Sequence, residues 1–150
     1  MMVVRVVLRL PRLRARNTYL RDRKRKGDGR VAVSTADAER HLRVDGLGIQ
    51  SGRRGEEHVI ALEGDLEMAN VSAIESVLRL AEAGDCRQIV FDLRRLSFLD
   101  STGLQLLMSA HARSQSSGRA IALVVDGGPV RRVLDVSGAL SILPTKAVAA

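Results

Sequence analysis

Tryptophan is absent from this 150-residue sequence, and its aromatic residues are one Tyr and two Phe. Hydrophobic residues still make up 45% of the chain, so its core must be aliphatic, built from Val, Leu, Ile and Ala. The same scarcity argues against a single-strand nucleic-acid binder, which uses aromatic side chains as stacking platforms. One cysteine, Cys86, excludes an intrachain disulfide and any multi-cysteine metal site. It precedes an apolar run and reads as a reduced, partly buried thiol. No stretch reaches the roughly 20 apolar residues of a membrane-spanning helix. The apolar opening is broken by Arg5 and Arg9 and ended by Pro11, too short and too charged for a secretory leader. The expectation is a cytoplasmic protein.

Acidic residues are scarce at one end only. Residues 1–30 hold 11 Lys and Arg against 2 acidic residues, a net +9, whereas residues 31–150 hold 13 against 15, a net −2. The overall charge of +7 is therefore a property of the N-terminus. The remainder lacks the electrostatic footprint of a nucleic-acid-binding domain. The run Arg21-Asp22-Arg23-Lys24-Arg25-Lys26 repels itself and is expected to stay disordered. The chain thus divides into a basic tail, residues 1–35, and a domain, residues 36–150. The tail reads as a solvated extension, as sequence upstream of the true start, or as a basic arm for nucleic acid or anionic membrane.

The domain alternates strand and helix signals. The segment from Leu42 to Ile49 and the better strand His58-Val59-Ile60-Ala61-Leu62-Glu63, ended by Gly64-Asp65, predict a hairpin around residues 51–55. Val71, Ile74, Val77, Leu78 and Ala81 recur at helical spacing, with Asn70 or Ser72 as cap and Gly84 as stop. Residues 88–93 and 121–125 are short apolar runs bounded by turns, as buried strands are. Between them Leu104, Leu107, Met108 and His111 mark one face of a helix. Pro129 opens a further helix with Val130, Val133 and Leu134 on its apolar face. Residues 141–144 read as a short last strand and residues 146–150 as a helical turn. The expected class is α/β, a mixed sheet of about four to five strands with helices packed against it.

The chemistry concentrates in Phe98-Leu99-Asp100-Ser101-Thr102-Gly103-Leu104, where a strand ends and a helix begins. Helix N-termini carry unpaired N–H groups and favour anions. Asp100, Ser101 or Thr102 can serve simply as caps, and Thr102 with Gln105 fits a T-x-x-Q capping box. A hydroxyl at such a loop edge is also within reach of a kinase.

This run resembles the phosphorylation motif of the bacterial anti-sigma factor antagonists, the small STAS-domain proteins. There an apolar strand end is followed by Asp-Ser-Ser/Thr-Gly-Leu. Leu62-Glu63-Gly64-Asp65-Leu66-Glu67 is similar to that family's acidic turn after a strand, with Asp65 and Glu67 exchanging the usual acid types. Val130-Arg131-Arg132-Val133-Leu134-Asp135-Val136-Ser137-Gly138 is similar to its penultimate helix, and the likeness spans roughly residues 42–146. The resemblance implies a STAS-like fold, with Ser101 as phosphoacceptor and Asp100, Thr102 and Gly103 shaping the switch loop. Asp65 and Glu67 become candidate partner contacts. It implies an anti-sigma factor with serine kinase activity as partner, a phosphatase to reset the switch, and no cofactor on this chain.

Enzymatic readings lack parts. No G-x-S-x-G surrounds Ser101, and His41, His58 and His111 are scattered without metal-ligand spacing. Gly127-Gly128 lacks the lysine of a phosphate loop. No catalytic or metal residue is expected. The alternatives are a non-switching STAS scaffold or regulatory module and a nucleic-acid-binding protein acting through residues 1–30.

Overall fold

The computed structural model describes residues 39–147. Residues 1–35, expected to form a disordered tail, lie outside that range, as do residues 148–150 of the expected last helical turn. Asp45 and Gly46, with φ of 45° and 80°, make the tight turn between β1 (Arg40–Val44) and β2 (Leu47–Arg54). An Asp-Gly pair suits two consecutive positive φ angles, whose twist matches that of the flanking strands. The segment read as one strand from Leu42 to Ile49 is therefore two strands. Gly55, at φ 59°, turns β2 into β3 (Glu57–Leu66). The expected hairpin thus exists, but its turn lies past Arg54, and residues 51–54 belong to β2.

The strand does not end at Gly64-Asp65 either. Gly64, at φ 104°, passes so close to the first turn that a Cβ there would fall 2.2 Å from the Gly46 carbonyl oxygen. The glycine keeps β3 running to Leu66 through a local register shift instead of stopping it. Helix α1 (Val71–Glu82) leads to β4 (Gln88–Leu99), α2 (Ser101–Ser117) to β5 (Ala120–Val124), and α3 (Pro129–Val136) to a 3-10 turn at Ala139–Ser141. Gly118 ends α2 in the left-handed conformation. The order β1-β2-β3-β4-β5 is antiparallel across the first three strands and parallel across the last three. This is the expected mixed α/β sheet.

All three helices bury their apolar side chains on one face of the sheet. Ile74 and Leu78 of α1, Leu107 of α2 and Leu134 of α3 meet Ile60, Phe91 and Leu123 there. Two helical phases differ from expectation. The buried stripe of α2 is Gly103, Leu106, Leu107, Ala110 and Ser114, leaving Leu104, Met108 and His111 on its half-buried flanks. A glycine and a serine at the two ends of the stripe hide it from a count of apolar residues. In α3 only Val130 and Leu134 are buried, and Val133 is exposed. The last expected strand is instead the 3-10 turn followed by a single bridge, Leu123 to Thr145, along the edge of β5. Pro144 has no N–H to donate, but its carbonyl accepts from Leu123. Cys86 is buried and unbridged. No helix among the described residues is long and apolar enough to cross a membrane.

Candidate functional site

Strands β3 and β4 run parallel and stay paired to their ends through two register shifts, with Asp65 beside Phe98 and Leu66 beside Leu99. This register brings the acidic turn after β3 against the junction between β4 and α2. At that junction Asp100 is extended, and its N–H donates to the Leu66 carbonyl at 3.1 Å. Its Oδ1 accepts from the Gly103 N–H at 2.9 Å and from the Thr102 hydroxyl at 2.5 Å. Its Oδ2 accepts from the Met68 N–H at 3.0 Å. Asp100 therefore caps α2 and also ties it to the turn after β3. Partial burial works against ionisation. The hydrogen bonds from Thr102, Gly103 and Met68 outweigh it and hold the carboxyl below the usual aspartate range.

The capping box expected from Thr102 and Gln105 does not form. The helix begins at Ser101, so Thr102 already lies inside it, Gln105 is exposed, and Asp100 occupies the cap position. The consequence for the two hydroxyls is unequal. Thr102 is half-buried and committed to Asp100. Ser101 is exposed, and its hydroxyl has no hydrogen-bond partner among the described residues. Gly103 is buried between strand ends: a Cβ there would lie 2.6 Å from Leu99 Cδ1 and 2.7 Å from Leu66 Cγ. Glycine lets the first turn of α2 sit directly on β3 and β4.

Asp65 is exposed and Glu67 half-buried, both next to this junction. All six residues singled out from the sequence thus gather at the end of the sheet where β3 and β4 stop. Among the described residues no Lys or Arg forms an ion pair with Asp65, Glu67 or Asp100, so the rim is acidic.

Three contributors were not singled out. Asn70 was read as a possible helix cap, but its side chain makes no cap bond. It is fully buried, donating to the carbonyls of Asp65 at 2.8 Å and Asp45 at 3.2 Å and accepting from the Glu67 N–H at 3.0 Å. It fixes the turn that presents Met68 to Asp100. Met68 and Phe98, 73% and 50% exposed, are apolar side chains in water at this edge. A methionine inside an acidic turn was the available signal. The arrangement offers a free hydroxyl at a helix N-terminus, an acidic rim and exposed apolar anchors.

A mixed sheet with helices on one face and such a strand-to-helix junction define a one-sided α/β domain. The chain belongs to the STAS-domain family: the family described as "Mlab, STAS domain" matches residues 49–144. It is similar to the anti-sigma F factor antagonist of Paenibacillus polymyxa, at 30% identity over 91 residues, covering 57% of this chain and 74% of that protein. Among solved structures it is similar to an anti-sigma factor antagonist from Mycobacterium paratuberculosis, with a TM-score of 0.62 and 20% identity over 68% of this chain and 86% of that one. It is also similar to the anti-sigma factor antagonist SpoIIAA in its unphosphorylated form, with a TM-score of 0.53 and 23% identity over 73% of this chain and 89% of that one. At these identities the two structures establish the fold.

Proposed function

We propose that this chain is an anti-sigma factor antagonist, a binding protein and not an enzyme, switched off by phosphorylation of Ser101. The observation that carries the reading is the contrast between the two adjacent hydroxyls: Ser101 exposed and unengaged, Thr102 locked to Asp100. The names of the relatives support the role of antagonist. In the unphosphorylated state the edge around Ser101, with Met68 and Phe98 as apolar anchors, docks on an anti-sigma factor. That partner is a serine kinase. The Ser101 Oγ attacks the γ-phosphorus of kinase-bound ATP, its proton passes to a base on the kinase, and ADP leaves. A phosphatase hydrolyses the ester and restores binding.

Two magnitudes explain why the phosphate would change docking and not the fold. A phosphate at a helix N-terminus meets a favourable dipole, worth about 0.3–1 kcal/mol, so α2 keeps its place. The same group adds roughly −1.5 to −2 charges beside Asp100 and near Asp65 and Glu67. Taking that charge out of water in an interface costs on the order of several kcal/mol.

The test is calorimetric binding of the wild type, Ser101→Ala and Ser101→Asp to the serine-kinase anti-sigma factor of the same organism. Ser101→Ala should bind like the wild type, and Ser101→Asp at least about tenfold more weakly, a loss of about 1.4 kcal/mol. Equal binding by all three would leave a STAS module without a switch.

A further inference from the structure

Asn70 has no exposed surface, yet it closes a turn whose tip, Met68 and Ala69, stands in water. A residue at a helix start usually spends its side chain on the first N–H groups of that helix. Asn70 spends none of it there. Its amide instead joins three stretches of chain. One donor reaches the Asp45 carbonyl in the β1–β2 turn at 3.2 Å, and another bond goes to the Asp65 carbonyl in β3 at 2.8 Å. Its oxygen accepts from the Glu67 N–H at 3.0 Å, while its own backbone N–H donates to the Glu67 carbonyl at 3.0 Å. Glu67 is thus gripped at both backbone groups by one residue. Met68 lies inside the closed ring, and its N–H is held from the other side by Asp100.

An exposed turn does not need so many pins in order to fold, because water can satisfy its backbone groups. Pinning does matter for a turn that docks. Binding is opposed by the freedom that loops and side chains lose at the interface, and a turn fixed beforehand loses less. Methionine has a long, flexible side chain, so a settled backbone removes the larger part of the searching it would otherwise do.

We infer that Asn70 is a positioning residue for partner binding, acting through Met68: it sets the turn so that Met68 stands beside Ser101 in the place where the partner takes it up. The inference rests on the reading of this edge as the docking site of an anti-sigma factor. Without the Asn70 amide, the Asp45 and Asp65 carbonyls and the Glu67 N–H lose their partner, and the turn must open to reach water. Met68 then remains exposed but is no longer held in one place.

A double-mutant cycle on the full chain tests this, read by calorimetric titration with the proposed serine-kinase anti-sigma factor. A fraction of unfolded chain lowers the binding stoichiometry, whereas a misplaced Met68 weakens the dissociation constant. Met68→Ala and Asn70→Ala should each weaken binding about tenfold at unchanged stoichiometry, and the double variant should also be about tenfold weaker, not a hundredfold. If Asn70→Ala lowers the folded fraction, Asn70→Asp takes its place in the cycle, being of the same size and keeping the acceptor for Glu67. Wild-type affinity in the Asn70 variant, or a hundredfold loss in the double variant, would overturn the inference and leave the docking reading standing. A wild type that does not bind the partner would overturn both.

Discussion

Replacing Gly103 with alanine separates two roles for the glycine of the Asp-Ser-Thr-Gly run, backbone freedom and close packing. Gly103 is helical and has no positive φ, so freedom is not needed. In an exposed helix position the exchange would gain about 0.8–1 kcal/mol of helix propensity. Here the new methyl would sit 2.7 Å from Leu66 Cγ and 2.6 Å from Leu99 Cδ1. Both leucines are buried, at 0% and 3% exposure, and Cγ is not a free end that can swing aside. Overpacking of this kind costs about 1–3 kcal/mol. The net expectation is a loss of about 1 kcal/mol, read by urea denaturation of the full chain. The melting temperature should fall by about 4 °C or more. Leu66→Ala makes room for the methyl, so the double variant should lose less than the sum of the two single losses. A Gly103→Ala protein more stable than the wild type by about 1 kcal/mol would refute the packing account.

Three further outcomes follow from the same contacts. Leu107→Ala should cost about 2–5 kcal/mol by chemical denaturation, because Leu107 is fully buried; the exposed Gln105→Ala should stay within about 0.5 kcal/mol. Asp100→Ala should cost about 0.5–2 kcal/mol as a lost cap and should raise amide exchange at Met68 and Gly103, whereas Ser101→Ala should do neither. Burial, partly opposed by the Arg94 N–H and reinforced by Asp126, pushes the Asp92 carboxyl up to about 6. The unfolded chain takes up that proton only near pH 3.9, so the folded state binds more protons between these values. Asp92 should therefore add stability as pH falls from 7 towards 5, and the component should vanish in Asp92→Asn. A wild-type trend identical to that of Asp92→Asn over this window would contradict it.

The parts of the fold legible in the sequence were those with a strong local period or an unambiguous breaker. Val71 to Ala81 needed only helical spacing, and the runs around Val90 and Ala122 needed only their apolar length and bounding turns. What was missed depends on contacts between distant residues. Gly64 looks like a terminator until the Gly46 turn is packed against it. The stripe of α2 includes Gly103 and Ala110, whose small side chains matter through what they let approach. Asp100 and Thr102 compete for one cap position, and the competition is decided by where β4 stops, twelve residues after it starts. The site was readable as a run from Phe98 to Leu104. Its join to Asp65, Glu67, Met68 and Asn70 came from the parallel register of β3 and β4, which no local pattern contains.

The central proposal is that a kinase modifies Ser101 and not the neighbouring Thr102. The direct measurement is incubation of the full chain with the proposed serine-kinase anti-sigma factor and ATP, followed by mass-spectrometric mapping of the phosphate. Phosphate on Ser101, absent in Ser101→Ala and retained in Thr102→Ala, is the predicted result. Phosphate on Thr102, or on neither residue while the partner still binds, would contradict it.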